Sequence, residues 1–389
     1  MPLYPYLQAA FYRSDMSDKQ LFKQAKQLNI ILSMVFLGLL FLIFLKSFRF
    51  YQAFLLIIII AYSLYIFKAP YMQAEILFFS IAAISFILML NMLIRPTWWL
   101  AIVTGIMVGL AYLTKGTVLP SLFLFAALYG AKQVISMVRE VRNAGLSNLR
   151  TVAIQFGYLI ILLVFFTVTV YPYLRAMKLM FGHYFYNVNT TVYIWYDSYD
   201  QAIEGEAKYH FTQGWPEQLP EDQIPGIGKY LSDHTLQQII GRFMTGFGMQ
   251  LNNIYSQYSV TNYPISYLII FLLAILIDVR NGFRTARNNP YLVLFTILYF
   301  FGYLVAFSWY APIAGGRRFF FGLYIPLLIV VFASINELAK NQPAAYGEKA
   351  PKINLARFFS TSNVIIALTL IYNIWLILTR VLFYSRFGS

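Results

Sequence analysis

The sequence contains no cysteine, so disulfides, thiolate nucleophiles and cysteine-ligated metals are all excluded. Histidine occurs only three times, at His183, His210 and His234, which argues against a histidine-rich metal cage. Charged residues fill 11% of the 389 positions, against roughly a quarter in an ordinary soluble domain. No G-x-x-x-x-G-K-[ST], G-x-S-x-G or H-E-x-x-H occurs, so ATPase, serine-hydrolase and zincin chemistry lose their usual support. There is no internal repeat and no low-complexity tract, and the first 27 residues have neither an apolar signal core nor a small-residue cleavage site.

Apolar residues make up 60% of the chain, and the mean hydropathy is +0.63. Uninterrupted runs such as Leu55 to Tyr62 and Leu159 to Val170 replace a soluble domain count with transmembrane segments. The pattern predicts ten helices, over 28–45, 51–67, 74–93, 99–114, 118–131, 152–171, 263–278, 291–309, 319–336 and 362–380. The expected fold is an all-α polytopic transmembrane bundle of about ten spans with one external loop subdomain. Its segments are an external or interfacial stretch 1–27, a six-helix membrane region 28–172, an external loop subdomain 173–262, a four-helix membrane region 263–380 and a tail 381–389.

The net charge of +14 would in a soluble protein point to nucleic acid. Here the connecting segments divide between two sides, and one side carries fourteen basic residues against four acids, a net of +10. The other side carries the remaining 15 basic and 11 acidic residues. The first side is cytoplasmic by the positive-inside bias, so most of the charge is a topology signal and no nucleic acid is expected. Ten crossings would place both termini outside, and Arg13, Lys19, Lys23 and Lys26 with them, just ahead of a hydrophobic helix. Either one assigned crossing is not a crossing, or a further transmembrane helix lies upstream.

The 173–262 segment holds eight of the fifteen acids and the aromatic stretch HYFYNVNTTVYIWYDSYD. Beyond Pro216, Pro220 and Pro225, Thr235 followed by Gln238 reads as a capping box. Leu236, Ile239, Ile240, Phe243, Met244 and Phe247 then share one face of a helix that lies on the outer membrane surface or on the bundle. Asp197 and Asp200 offer a carboxylate pair to a divalent cation, the one cofactor left open, although a solvated acid pair on a surface loop is the safer reading. Asn189-Thr190-Thr191 is a glycosylation triplet of the kind that arises often by chance.

A charge at the edge of the hydrocarbon is costly and is a functional-site hypothesis by default. Four places qualify: Glu75 in KAPYMQAEILFF, Lys115 in AYLTKGTVLPS, Arg317 and Arg318 in WYAPIAGGRRFFFGLYIP, and Arg175 and Lys178 beside His183. All four fall on the external side. One carboxylate among several cations at membrane level suits an anionic, lipid-linked ligand, and paired arginines suit a phosphate. His183, Trp195 and Tyr310 are candidate substrate contacts, with Tyr196 and Trp309 as further rings for stacking on sugar.

The segments PLYPYLQAAFYR, YMQAEILFF, LTKGTVLPS and GRRFFFGLYIP resemble the GT-C superfamily of polytopic membrane glycosyltransferases. They are most similar to its bacterial protein O-mannosyltransferase and aminoarabinose-transferase-like branch, also termed dolichyl-phosphate-mannose-protein mannosyltransferase-like. The resemblance implies transfer of a sugar from a polyprenyl-phosphate donor to a protein, lipid or glycan acceptor on the external face of a bacterial plasma membrane. It implies that Glu75 is the family's second acidic position and that Arg318, or its neighbour Arg317, holds the donor phosphate with Lys115 and Lys26. Family members carry a transmembrane helix and a loop with the principal catalytic Asp or Glu ahead of PLYPYL, which here follows Met1 directly. The expectation is a chain short of that helix and of its principal acid, with its activity alone in doubt. The alternatives are a transporter or flippase of lipid-linked precursors, or a non-catalytic component or remnant in envelope polysaccharide assembly.

Overall fold

A computed structural model describes residues 1–144, 149–215, 219–255, 279–314 and 318–340, with isolated positions at 269, 272, 276, 371 and 375. Every regular element among these residues is helical. The helices are α1 (Leu3–Ala9), α2 (Asp18–Leu45), α3 (Phe50–Ile60), α4 (Glu75–Ile94), α5 (Trp98–Thr114), α6 (Leu119–Ala144) and α7 (Leu149–Phe181). They continue with α8 (Tyr199–Tyr209), α9 (Ile227–Asp233), α10 (Leu236–Tyr255), α11 (Val279–Asn288), α12 (Pro290–Tyr310) and α13 (Arg318–Lys340). Among the described residues five helical stretches are long and apolar enough to cross a membrane: Asp18–Leu45, Glu75–Ile94, Gly116–Arg142, Arg150–Phe181 and Pro290–Tyr310. Phe50–Tyr65, Trp98–Thr114 and Phe319–Ser334 are shorter apolar helices, and the spans expected at 263–278 and 362–380 lie outside the described residues.

The chain forms two compact units. The first comprises Met1–Leu7, Ile84–Gln257 and Tyr291–Phe320. Its tightest pair is α5 against α7, where Gly105 and Gly109, one turn apart, leave room for close backbone approach. A Cβ at Gly105 would strike the Leu162 carbonyl oxygen, and one at Gly109 would lie 2.7 Å from the Thr169 side chain. Small residues at this spacing are the usual device for packing helices where lipid supplies no hydrophobic drive. Phe125, Tyr129, Phe166, Phe295 and Tyr299 complete the interior of this unit.

The second unit comprises Gln8–Ala83, Tyr258–Pro290 and Phe321–Ser389. Its first long helix begins at Asp18, well before the predicted 28, because Ser17 and Gln20 form a reciprocal capping box. Lys19, Lys23 and Lys26 therefore sit in the opening turns of α2 rather than in a separate surface segment. After α3 the chain makes a π-helical turn over Ala61–Tyr65, and the Tyr65 hydroxyl bonds to Ser80 on α4. Leu40, Leu56, Ile60 and Leu328 are fully buried in this unit. The Gln52 side chain donates to Asn336 Oδ1 at 2.6 Å, so its buried amide has a polar partner.

Candidate functional site

The densest polar cluster among the described residues gathers around Asp197 in the first unit. Ser198 caps α8 by accepting from the Gln201 amide, and this fixes the extended residues ahead of it. Asp197 Oδ1 accepts a hydrogen bond from the Tyr230 hydroxyl at 2.8 Å and one from Arg242 Nη1 at 3.4 Å. Its Oδ2 faces His234 Nε2 at 2.8 Å, while His234 Nδ1 faces the Tyr230 carbonyl at 2.9 Å. Both ring nitrogens of His234 thus meet acceptors: a neutral tautomer satisfies one contact, and the imidazolium satisfies both. The capping box between Thr235 and Gln238 forms as the sequence predicts and sets where α10 begins.

Arg242 is the centre of this packing, with only 5% of its side chain exposed. Its guanidinium lies 4.3 Å from the centre of the Trp309 ring and 4.9 Å from that of Tyr230. Nη2 donates to the Ile194 carbonyl at 2.9 Å and to the Trp309 carbonyl at 3.5 Å. The Trp309 indole N–H also donates to Ile194, at 3.1 Å. A desolvated cation against two edge-to-face rings, with carbonyl acceptors, is a strong, orientation-specific contact. It locks residues 194–197 to α9, α10 and the end of α12.

Beside the cluster lies a cleft of about 450 Å³, lined by Trp195, Tyr196, Asp197, Gln201, Glu204, Gly205, Lys208, Tyr209, Pro225, Gly226, Lys229, Tyr230, Asp233 and His234. The Tyr196 hydroxyl rests directly on Gly205, where an added Cβ would displace the ring. Burial first, then the nearby Tyr209 and Glu206, push the Tyr196 phenol up to about 12, so at neutral pH it is a hydrogen-bond donor. Lys229 pairs with Asp233 at 2.9 Å, and Lys208 lies 5.0 Å from the Tyr209 ring centre. The walls therefore offer aromatic surface with carboxylate, amide and ammonium groups of nearly balanced charge. Such a lining suits a neutral, hydroxyl-rich ligand with an apolar face better than a strong anion or cation. Asp197 has both oxygens engaged, which makes it a positioning group.

Glu206, on α8, ties the same region to the following turn by accepting from Tyr193 at 2.7 Å, from the Thr212 amide at 3.2 Å and from the Thr212 hydroxyl. Partial burial opposes its ionisation, but the Thr212 and Tyr193 hydrogen bonds outweigh it and hold the carboxyl below its usual 4.5. A depressed folded-state value contributes stability above the unfolded value and loses it as the pH falls through the folded one. The stability gap between the wild type and Glu206→Gln is therefore expected to be widest near neutral pH and to close well below 4.5. Unfolding midpoints in detergent over that range test it.

No known protein family, curated protein or solved structure matches the chain. The residues carry the reading alone. Of those that the sequence singles out, Trp195 enters the cleft wall and packs on Tyr230 and Trp309. Tyr310 donates to Asn189 Oδ1 at 3.0 Å. Lys115 closes α5 in an extended conformation, and a Cβ on the adjacent Gly116 would lie 3.8 Å from Asn187 Nδ2. The 187–189 turn thus stands between the Lys115 junction and Tyr310. His183 is elsewhere, its ring centre 3.8 Å from that of Trp215 and tilted 40° to it, beside the small core of Tyr186, Val192 and Phe211.

Glu75 and Lys26 belong to the second unit. Glu75 opens α4 with 8% of its surface exposed, and Lys26 is exposed, 5.3 Å from the Phe22 ring centre. Arg318 starts α13, but its side chain, like all of Arg317, lies outside the described residues. Asp197 faces the Arg242 cluster while Asp200 is exposed in the first turn of α8, so the pair does not converge on one cation. Among the described residues no three His, Asp or Glu side chains come together as metal ligands. Sequence reasoning missed Arg242, although it is the only charged residue in α10 and recurs with Gly246 and Gln250 at four-residue steps.

Proposed function

We propose that the chain is a GT-C-type membrane glycosyltransferase, built on about ten spans with an external 173–262 subdomain, that moves a sugar from a polyprenyl-phosphate donor to an external acceptor. The observation that carries the proposal is Glu75, a carboxylate 8% exposed in the first turn of a membrane-length apolar helix. A charge so placed is costly to keep without a task. In this reading a carboxylate takes the proton of an acceptor hydroxyl, whose oxygen bonds to the anomeric carbon as the bond to the donor phosphate breaks, and Glu75 serves as the second acidic group of the site. The phosphate leaves with the bonding pair and is held by Arg318, Arg317, Lys115 and Lys26. The aromatic, charge-balanced cleft beside Asp197 supports a hydroxyl-rich acceptor.

Membranes containing the chain are expected to move label from a polyprenyl-phosphate sugar to an endogenous acceptor. Glu75→Gln and Arg318→Ala should each lower that rate by about tenfold or more, the scale of losing one acid–base or electrostatic group. Wild-type rates in both variants would remove the site assignment. Counterflow of a lipid-linked precursor without transfer would identify a transporter instead.

A further inference from the structure

Helix α10 packs on the protein through the face that its sequence marks as polar. Arg242, Gly246 and Gln250, spaced by one turn, are buried, and all three meet the last turn of α12. Arg242 donates to the Trp309 carbonyl, a Cβ at Gly246 would strike the Ser308 carbonyl oxygen, and Gln250 donates to the Phe307 carbonyl at 2.9 Å. Nine residues of α10, about 12 Å from first to last, thus address three consecutive carbonyls of α12. Parallel helices would pair every fourth residue with every fourth residue, so α10 crosses the end of α12 steeply. It also supplies the donors and the positive charge that a helix C-terminus lacks.

Two exposed stripes run along other faces of α10, while Ile239, Phe243 and Phe247 are half-buried. Leu236, Ile240 and Met244 are 72%, 53% and 56% exposed along one stripe. Gln237, Gly241 and Thr245 form the other. Arg242 is the only charged residue in these twenty, so neither exposed stripe carries a charge.

We infer that α10 lies in the plane of a phospholipid bilayer, with Leu236, Ile240 and Met244 among the acyl chains and Gln237, Gly241 and Thr245 toward water. A steep crossing at the end of a membrane-length helix puts α10 along the surface, and its buried polar stripe, its exposed apolar stripe and the exposed stripe of Gln237, Gly241 and Thr245 suit protein, lipid and water in turn. The same helix carries Arg242 inward to Asp197, so the cleft is held at the bilayer surface. The inference rests on α12 being a membrane span and is independent of glycosyl transfer.

The chain has no native cysteine, so each introduced one is unique. The test places single cysteines at 236, 237, 240, 241, 244 and 245 of the full chain, reconstitutes each variant in phosphatidylcholine vesicles and spin-labels it. Neutral lipid is the right probe because the exposed stripes carry no charge to attract anionic headgroups. Circular dichroism and a monodisperse elution profile, checked before reconstitution, confirm that each variant is folded. The labels at 236, 240 and 244 are expected to be several-fold more accessible to oxygen than to a water-soluble nickel chelate, with the order reversed at 237, 241 and 245. Equal chelate access at all six positions would overturn the inference by placing α10 in water. Low access to both reagents at 236, 240 and 244 would overturn it by showing a protein partner there.

Discussion

Arg242→Ala is expected to destabilise the protein by about 3 kcal/mol, the largest single effect in the first unit. The substitution leaves the Ile194 carbonyl with only the Trp309 indole and the Trp309 carbonyl without its donor, and it removes the cation that rests against two rings. Unsatisfied buried acceptors cost about 1–3 kcal/mol each, and a desolvated cation–ring contact contributes about 2. The ion pair itself matters less, because the Asp197 side chain is 39% exposed and water screens it. Arg242→Lys should recover only part of the loss, since one ammonium cannot reproduce the planar fork that reaches Asp197, Ile194 and Trp309 together. Unfolding midpoints in mild detergent measure the difference. A loss well under 1 kcal/mol in the alanine variant would mean that the guanidinium is solvated and the cluster is not made.

The second large effect is expected within the same helix and carries its own control. A Cβ at position 246 has no space, because the atom it meets is the Ser308 backbone oxygen rather than a movable side chain. Gly246→Ala must push α10 off the end of α12, and overpacking of this kind costs about 1–3 kcal/mol, with Gly246→Val at the top of that range. At Gly241 and Gly248 nothing lies within 4 Å of an added Cβ. Gly241→Ala and Gly248→Ala should therefore stabilise the helix by about 0.5–1 kcal/mol each through the better intrinsic propensity of alanine. Opposite signs among three glycines of one helix report the crossing geometry directly. Equal effects at all three would show that α10 does not rest on α12.

The helices themselves were largely legible. The run 74–93 appears as Glu75–Ile94 and 291–309 as Pro290–Tyr310, because an unbroken apolar stretch fixes both length and helicity. Where a boundary moved, local chemistry moved it. Ser17 and Gln20 carry α2 back over three lysines, although the S-x-x-Q spacing was there to be read. The helix predicted at 118–131 runs on to Ala144, its last turns polar enough to escape a hydropathy reading.

The site was legible only in pieces. Trp195 was singled out for its ring and Asp197 for its neighbour Asp200, and neither pattern contains Arg242, 45 residues further on. The apolar face of α10 drew attention by its periodicity, yet Ile239 is half-buried where Leu236 and Ile240 are exposed. In water that periodicity would have said which face turns inward. Against a bilayer it does not, since lipid is as apolar as leucine and packing is decided by small residues and polar contacts.

What the sequence determined by itself is therefore the class of molecule: a cysteine-free chain whose described elements are all helical, several of them of membrane length, set by local apolar content and by backbone hydrogen bonds closed within each helix. What only the tertiary structure decided is which stripe of α10 is inside, and that residues 194–197, 230–234, 242 and 309 share one cluster. Those contacts join segments far apart in the chain through a buried guanidinium and a glycine with no room for a methyl, and neither leaves a periodic trace in the sequence.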